Sequence, residues 1–143
     1  MNIKIIVASI AGGIVLFVLG SVMYGLFLDG FMQASMVQYE GLVLNPPNFV
    51  PLGLYNLVLA WFITFVFDYW AEIRTAAGGA VGGGLIMFAN ALWTDLSFLA
   101  FMNVYNNLWF VAADIAVVTF MGVVAGSVIG LILGKMTKRE SSV

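Results

Sequence analysis

The sequence predicts an all-α integral membrane protein: a single four-helix bundle of membrane-spanning segments with both ends in the cytoplasm. Three observations carry that prediction. First, 63% of the 143 residues are hydrophobic and only 8% are charged, whereas soluble domains carry about 25% charged residues. Second, four continuous apolar runs each approach or exceed the roughly 20 residues that a helix needs to cross a hydrocarbon core. Third, all five Lys and Arg fall where an even number of crossings places them on one side, which the positive-inside rule assigns to the cytoplasm.

The runs are residues 3–28, 52–70, 76–102 and 108–134, within one membrane domain covering 1–143. They are continuous rather than alternating, so helices are expected and barrel strands are not. Lys4 stands at the very start of the first run and could suggest a signal peptide. The apolar stretch is about twice the usual length of a signal core and lacks a small-residue cleavage site, so it is read as a retained span. Arg74 lies between the second and third runs, and Lys135, Lys138 and Arg139 follow the fourth. Asp68 and Glu72, near Arg74, read as residues of the inner interface.

Between the first two runs lies an external loop, 29–51, without Lys or Arg. Its "FMQASMVQY" could continue the first helix or lie along the interface, and its "NPPNFVP" should be extended or turned, because proline lacks a donor and biases its predecessor away from helix. A loop of this length is a candidate cap over whatever opens outward. Tyr105 and Trp109, among other aromatics, gather near the outer boundary and read as an interfacial belt.

Spacing identifies the contacts inside the bundle. The fourth run carries Gly122, Gly126, Gly130 and Gly134, and the third begins "AAGGAVGGG", with Gly78 and Gly82, then Gly79 and Gly83, at the same four-residue interval. Lipid does not drive apolar helices together, so small residues that admit close backbone approach are the usual substitute. Spans three and four are therefore expected to touch near the cytoplasm, with a homodimer seam as the alternative use of the stripe. Bulky residues replace the glycines outward, so the pair should splay towards the outside.

Asp95 and Asp114 sit there, about seven residues inside their helices and symmetric about the intervening turn. A carboxylate at membrane depth costs roughly 2.5 kcal/mol or more, so it has a partner or a task. Asn56, Thr94, Tyr24 and Asp29 lie at similar height and complete a candidate outward-facing pocket. Two facing carboxylates in low dielectric resist double ionisation, and a proton or a small cation would balance them. The alternative is that each aspartate is neutral and staples neighbouring helices.

Composition also removes whole classes of function. Zero Cys and zero His exclude disulfides, histidine-ligated haem, cysteine-ligated clusters and ordinary zinc sites, so no metal or cofactor is expected. A net charge of −2 offers no basic surface for nucleic acid. A dyad of membrane aspartates could serve an aspartyl protease, but "WTDL" and "AADI" lack the GxGD pattern of the intramembrane enzymes, so binding or movement of a proton, small cation or polar solute is preferred to catalysis. The expected partners are the lipid bilayer and a second copy or another membrane subunit; an accessory role in a larger complex is the runner-up.

The stretch "FVLGSVMYGLF", residues 17–27, resembles the opening helix of a bacterial four-helix membrane family of unknown function with the pattern F-x-x-G-x-x-W-Y. Met23 stands where that family has Trp. The resemblance implies a small protein of the bacterial inner membrane and carries over no functional residue. The small multidrug exporters share the size and span count, but their first-helix glutamate has no counterpart here before Asp29.

Overall fold

A computed structural model describes residues 2–41, 43–44 and 46–140, with side chains through Thr137. Its elements are α1 (Ile3–Val22), α2 (Asp29–Ser35), α3 (Phe49–Phe65), α4 (Ala76–Phe101) and α5 (Trp109–Glu140). Two of these helices run on into π-helical turns: α1 into Met23–Phe27 and α3 into Val66–Trp70. There is no strand among the described residues, only one isolated antiparallel bridge between Met36 and Tyr105.

Four helices are long and apolar enough to cross a membrane: Ile3–Phe27, Phe49–Trp70, Ala76–Phe101 and Trp109–Thr137. Their outward faces are apolar as well. Phe101, Trp109 and Trp93 are 86%, 77% and 72% exposed, an arrangement that water penalises and lipid accepts. This is a membrane protein.

The observed ends differ from the sequence-based bounds for local reasons. The second span begins at Phe49, three residues before the expected 52, because Asn48 caps it by accepting from Val50 N–H at 3.2 Å. Pro51 falls in the first turn, where a missing N–H breaks no intrahelical bond. Thr75 caps α4 in the same way, accepting from Gly78 N–H at 3.0 Å. The last helix continues past Gly134 to Glu140.

Packing order around the molecule is α3, α1, α5, α4. The contact of α4 with α5 is the most extensive, and it is built on glycine. A Cβ on Gly79 or Gly83 would strike the backbone of Gly126 and Gly122, and one on Gly130 would strike that of Thr75. The seam therefore runs through Gly79 and Gly83 on α4. Gly78 and Gly82, the other pair at that spacing, turn away: Gly78 faces Thr75 and Ile73, and Gly82 faces Ile73 and the Phe67 ring at the end of span two. Gly122, Gly126 and Gly130 all lie in the seam, so the stripe is occupied within one chain.

On its other face α5 presents Met121, Ala125, Ile129 and Leu133 to the core, where they join Ala8, Leu16, Ala60, Ile63 and Phe67. Gly12 makes room there for Ile129 and Ala60, and Gly13 sets α1 against the Leu57 backbone. Asn56, Ala60, Thr64 and Asp68 follow one another at four-residue intervals along span two, the first three buried and the Asp68 side chain largely covered.

One end of the bundle is ionic. Asp68, its side chain 7% exposed, pairs with Lys4 at 3.2 Å and Arg74 at 2.7 Å. Arg74 also donates to the carbonyls of Phe67 at 3.2 Å and Asp68 at 3.1 Å, groups that a helix end leaves without intrahelical donors. Asp68 therefore links span one to the loop between spans two and three, a stronger role than the interfacial one expected. Glu72, in the same loop, turns it with a left-handed φ of 49°.

Candidate functional site

Four-residue spacing sets the site at the opposite end. Along α4 the buried row Gly79, Gly83, Met87, Ala91 continues to Asp95. Along α5 the row Gly134, Gly130, Gly126, Gly122 continues through Val118 to Asp114. In the seam Gly79 meets Gly126 and Gly130, Gly83 meets Gly122 and Gly126, and Gly122 meets Met87. Carried on in the same steps towards the turn between spans three and four, this register sets Asp95 at the level of Phe110 and Asp114. The aspartates stand at the end of the helix contact away from the ionic cluster, on the ridges whose other ends are glycine.

Each carboxylate receives a phenol. Tyr24 donates its hydroxyl to Asp114 Oδ1 at 2.5 Å, joining span one to span four. Tyr105 donates to Asp95 Oδ1 at 2.8 Å, joining the turn between spans three and four to span three. Tyr24 lies in the first π-helical turn, closed by Leu28 N–H on the Met23 carbonyl at 2.8 Å. Such a turn takes in one extra residue and re-aims its side chains, and π-turns are frequent at functional positions.

Asp95 is 3% exposed, and its second oxygen, Oδ2, is buried without a hydrogen-bond partner. The two ion pairs among the described residues lie at the other end of the molecule, on Asp68. No sequence comparison supplies a precedent. Searches of family models, curated proteins and solved structures return no match.

The remaining candidates make no hydrogen bond to either carboxylate among the described residues. Asn56 is buried, but its amide donates to the Leu52 carbonyl of its own helix at 2.8 Å. Asp29 accepts from Gln33 at 2.9 Å on the exposed side of α2. Thr94 is half-buried beside Asp95 and bonds neither carboxylate among the described residues. Tyr24 is the member of the expected set that the fold brings to an aspartate. Tyr105 belongs to the site as well, although its place in the turn "NVYNN" matched an interfacial aromatic equally well.

Burial raises the pKa of Tyr105 first; the hydrogen bond to Asp95 and the negative charges of Asp95 and Asp114 add to it. Its hydroxyl therefore stays a donor and sits within electrostatic range of both aspartates.

Proposed function

We propose that the outer half of this membrane protein binds a proton or a small monovalent cation between Asp95 and Asp114, with Tyr24 and Tyr105 completing the site. The observation that carries this reading is the unpartnered, buried Oδ2 of Asp95. A lone buried carboxylate oxygen is costly unless it is protonated or faces a cation. Two carboxylates and two phenols match a proton or one monovalent ion, whereas calcium takes six to eight oxygens and, among the described residues, no three acidic side chains converge.

The test is thermal unfolding in mild detergent from about pH 4 to 9 with sodium, potassium and small alkylammonium ions, on wild type, Asp95→Asn and Asp114→Asn. A ligand at about 100 times its Kd stabilises the folded state by roughly 2.7 kcal/mol. We expect saturable stabilisation by one of these ions or by protons, lost in the Asp95→Asn variant. Equal midpoints under every condition for all three proteins contradict the proposal.

The orientation that accompanies this reading places Lys4, Arg74 and Lys135 in the cytoplasm and the carboxylates towards the outside. In a chain free of cysteine, an impermeant maleimide applied to intact cells then labels Glu40→Cys and spares Ala77→Cys. The reverse pattern inverts the assignment. A second reading, an accessory subunit of a larger complex, is favoured by a groove of about 490 Å³ on the lipid-facing side of span two, between Leu54, Tyr55, Val58, Trp61 and Phe62. Loss of the isolated chain to aggregation in detergent, reversed by a co-purifying membrane polypeptide, supports that reading.

A further inference from the structure

The external segment between spans one and two does more than connect them. After Leu28 the chain forms α2, then extends at Met36 with φ −107° and ψ 148° and crosses the turn between spans three and four. There Val37 N–H donates to the Val104 carbonyl at 2.8 Å, and the Ser35 carbonyl accepts from Asn106 N–H at 2.8 Å and Asn107 N–H at 3.2 Å. The Tyr39 hydroxyl donates to the Asn103 carbonyl at 3.2 Å. Phe31 packs on Phe110 with ring centroids 5.7 Å apart, and Ser35 is 1% exposed.

A turn between two antiparallel helices does not need a strap from elsewhere in the chain. This strap is paired with the residue that matters: Met36 stands directly opposite Tyr105 in the bridge, and Tyr105 donates to Asp95. The flanking bonds, 37 to 104 and 106 to 35, mark Met36 and Tyr105 as the closer, non-hydrogen-bonded kind of antiparallel pair. The strap is a continuation of the segment that carries Tyr24, so one stretch of chain sets both tyrosine donors. It is bounded by the bend at Leu28 and by Gly41, whose φ of 77° suits a turn.

We propose that residues 35–39 are the outer gate of the carboxylate site: paired, they hold Tyr105 on Asp95, and unpaired, they release Tyr105 and open Asp95 to the outer solution. The gate rests on the proposed site for its purpose, but its motion is tested separately. Among the described residues few bonds hold it to the turn, three from the backbone and one from Tyr39, so it can open without unfolding the spans.

The experiment uses Val37→Cys/Val104→Cys, a pair of directly opposed positions in a chain with no other cysteine. Opposed strand residues fall within the Cα separation that a disulfide spans. Reconstituted protein, oxidised or reduced, is treated from outside with a water-soluble carbodiimide and an amine, and modification of Asp95 is followed by peptide mass spectrometry. We expect oxidation to slow modification at least about tenfold, with no change in either single-cysteine variant. Equal rates in the oxidised and reduced forms overturn the gate.

Tyr39→Phe provides a second arm that needs no cross-link. Loss of one gate bond should speed modification about threefold, the worth of an ordinary hydrogen bond, and an unchanged rate counts against the gate. Adding sodium, potassium or alkylammonium ions to the reduced protein separates the two ideas. Failure of every ion to protect Asp95, with oxidation still protecting it, overturns the cation reading and leaves the gate standing. Protection by an ion with no effect of oxidation does the reverse.

Discussion

Tyr105 and Asp95 show how a single pair can tie stability to pH. The tyrosine's pKa is raised by burial and then by its bond to Asp95, so the folded state favours the neutral phenol. An unfolded tyrosine ionises near pH 10. Below that value both states keep the proton and the pair contributes its full stabilisation. Above it the unfolded state releases a proton that the folded state retains, so stability falls as pH rises. The unfolding midpoint should therefore decline above about pH 10 in the wild type and decline less steeply in Tyr105→Phe, as circular dichroism melts from about pH 8 to 11 would record. Identical slopes contradict the assignment of this shift to Tyr105. Asp68 illustrates the other kind of carboxylate. With Lys4 and Arg74 both on it, it is occupied and closed, which is why the open oxygen of Asp95 carries the functional argument.

At the scale of the element, the contact between α4 and α5 makes the sharpest contrast. A Cβ on Gly126 would lie against the Gly79 carbonyl and 2.8 Å from the Gly83 Cα. Backbone cannot yield as a flexible side chain can, so Gly126→Ala should separate the helices and cost about 3 kcal/mol, at the upper end of overpacking effects. Gly53, inside α3, has nothing within 4 Å of its would-be Cβ. There Gly53→Ala should raise stability by about 0.5 to 1 kcal/mol through helix propensity. Detergent unfolding of the two variants checks both signs.

Much at this scale was legible in the sequence: the four apolar runs became helices, and the glycine interval identified the pair that touches. Choosing Gly79 and Gly83 over Gly78 and Gly82 was beyond it, because both pairs share one spacing and differ only in facing. The π-turn at Met23–Phe27 was also hidden, since it depends on tertiary packing and has no residue signature. It is this turn that holds Tyr24, and a regular helix would aim the side chain elsewhere. On a wheel of 100° per residue Asp114 lies about 80° from Gly122, off the glycine face. The real contact follows the four-residue ridges, which wind around each helix and carry the aspartates along with the glycines.

Across the whole molecule, the two ends do different work. The ionic end fastens span one, span two and the loop between spans two and three through Asp68, while glycine holds spans three and four together beside it. The other end replaces small residues with two aspartates, two phenols and a strap. The sequence announced the aspartates by their depth, but it could not announce Tyr105, whose role depends on a backbone pairing with Met36 across 69 positions of chain. Nor could it show that Asn56 and Asp29 satisfy themselves locally, since a back-bond to Leu52 or an exposed bond to Gln33 leaves no mark in composition.

The central claim is that Asp95 holds a proton or a cation, and infrared difference spectroscopy of the reconstituted protein tests it most directly. The carboxyl C=O stretch is read as pH or the concentration of a monovalent cation is raised. The account predicts a protonated-carboxyl band that diminishes as the ion binds or the pH rises, and that is missing from Asp95→Asn. A spectrum with no such band in the wild type and no response to any ion or pH, or with the same band and response in Asp95→Asn, would contradict it.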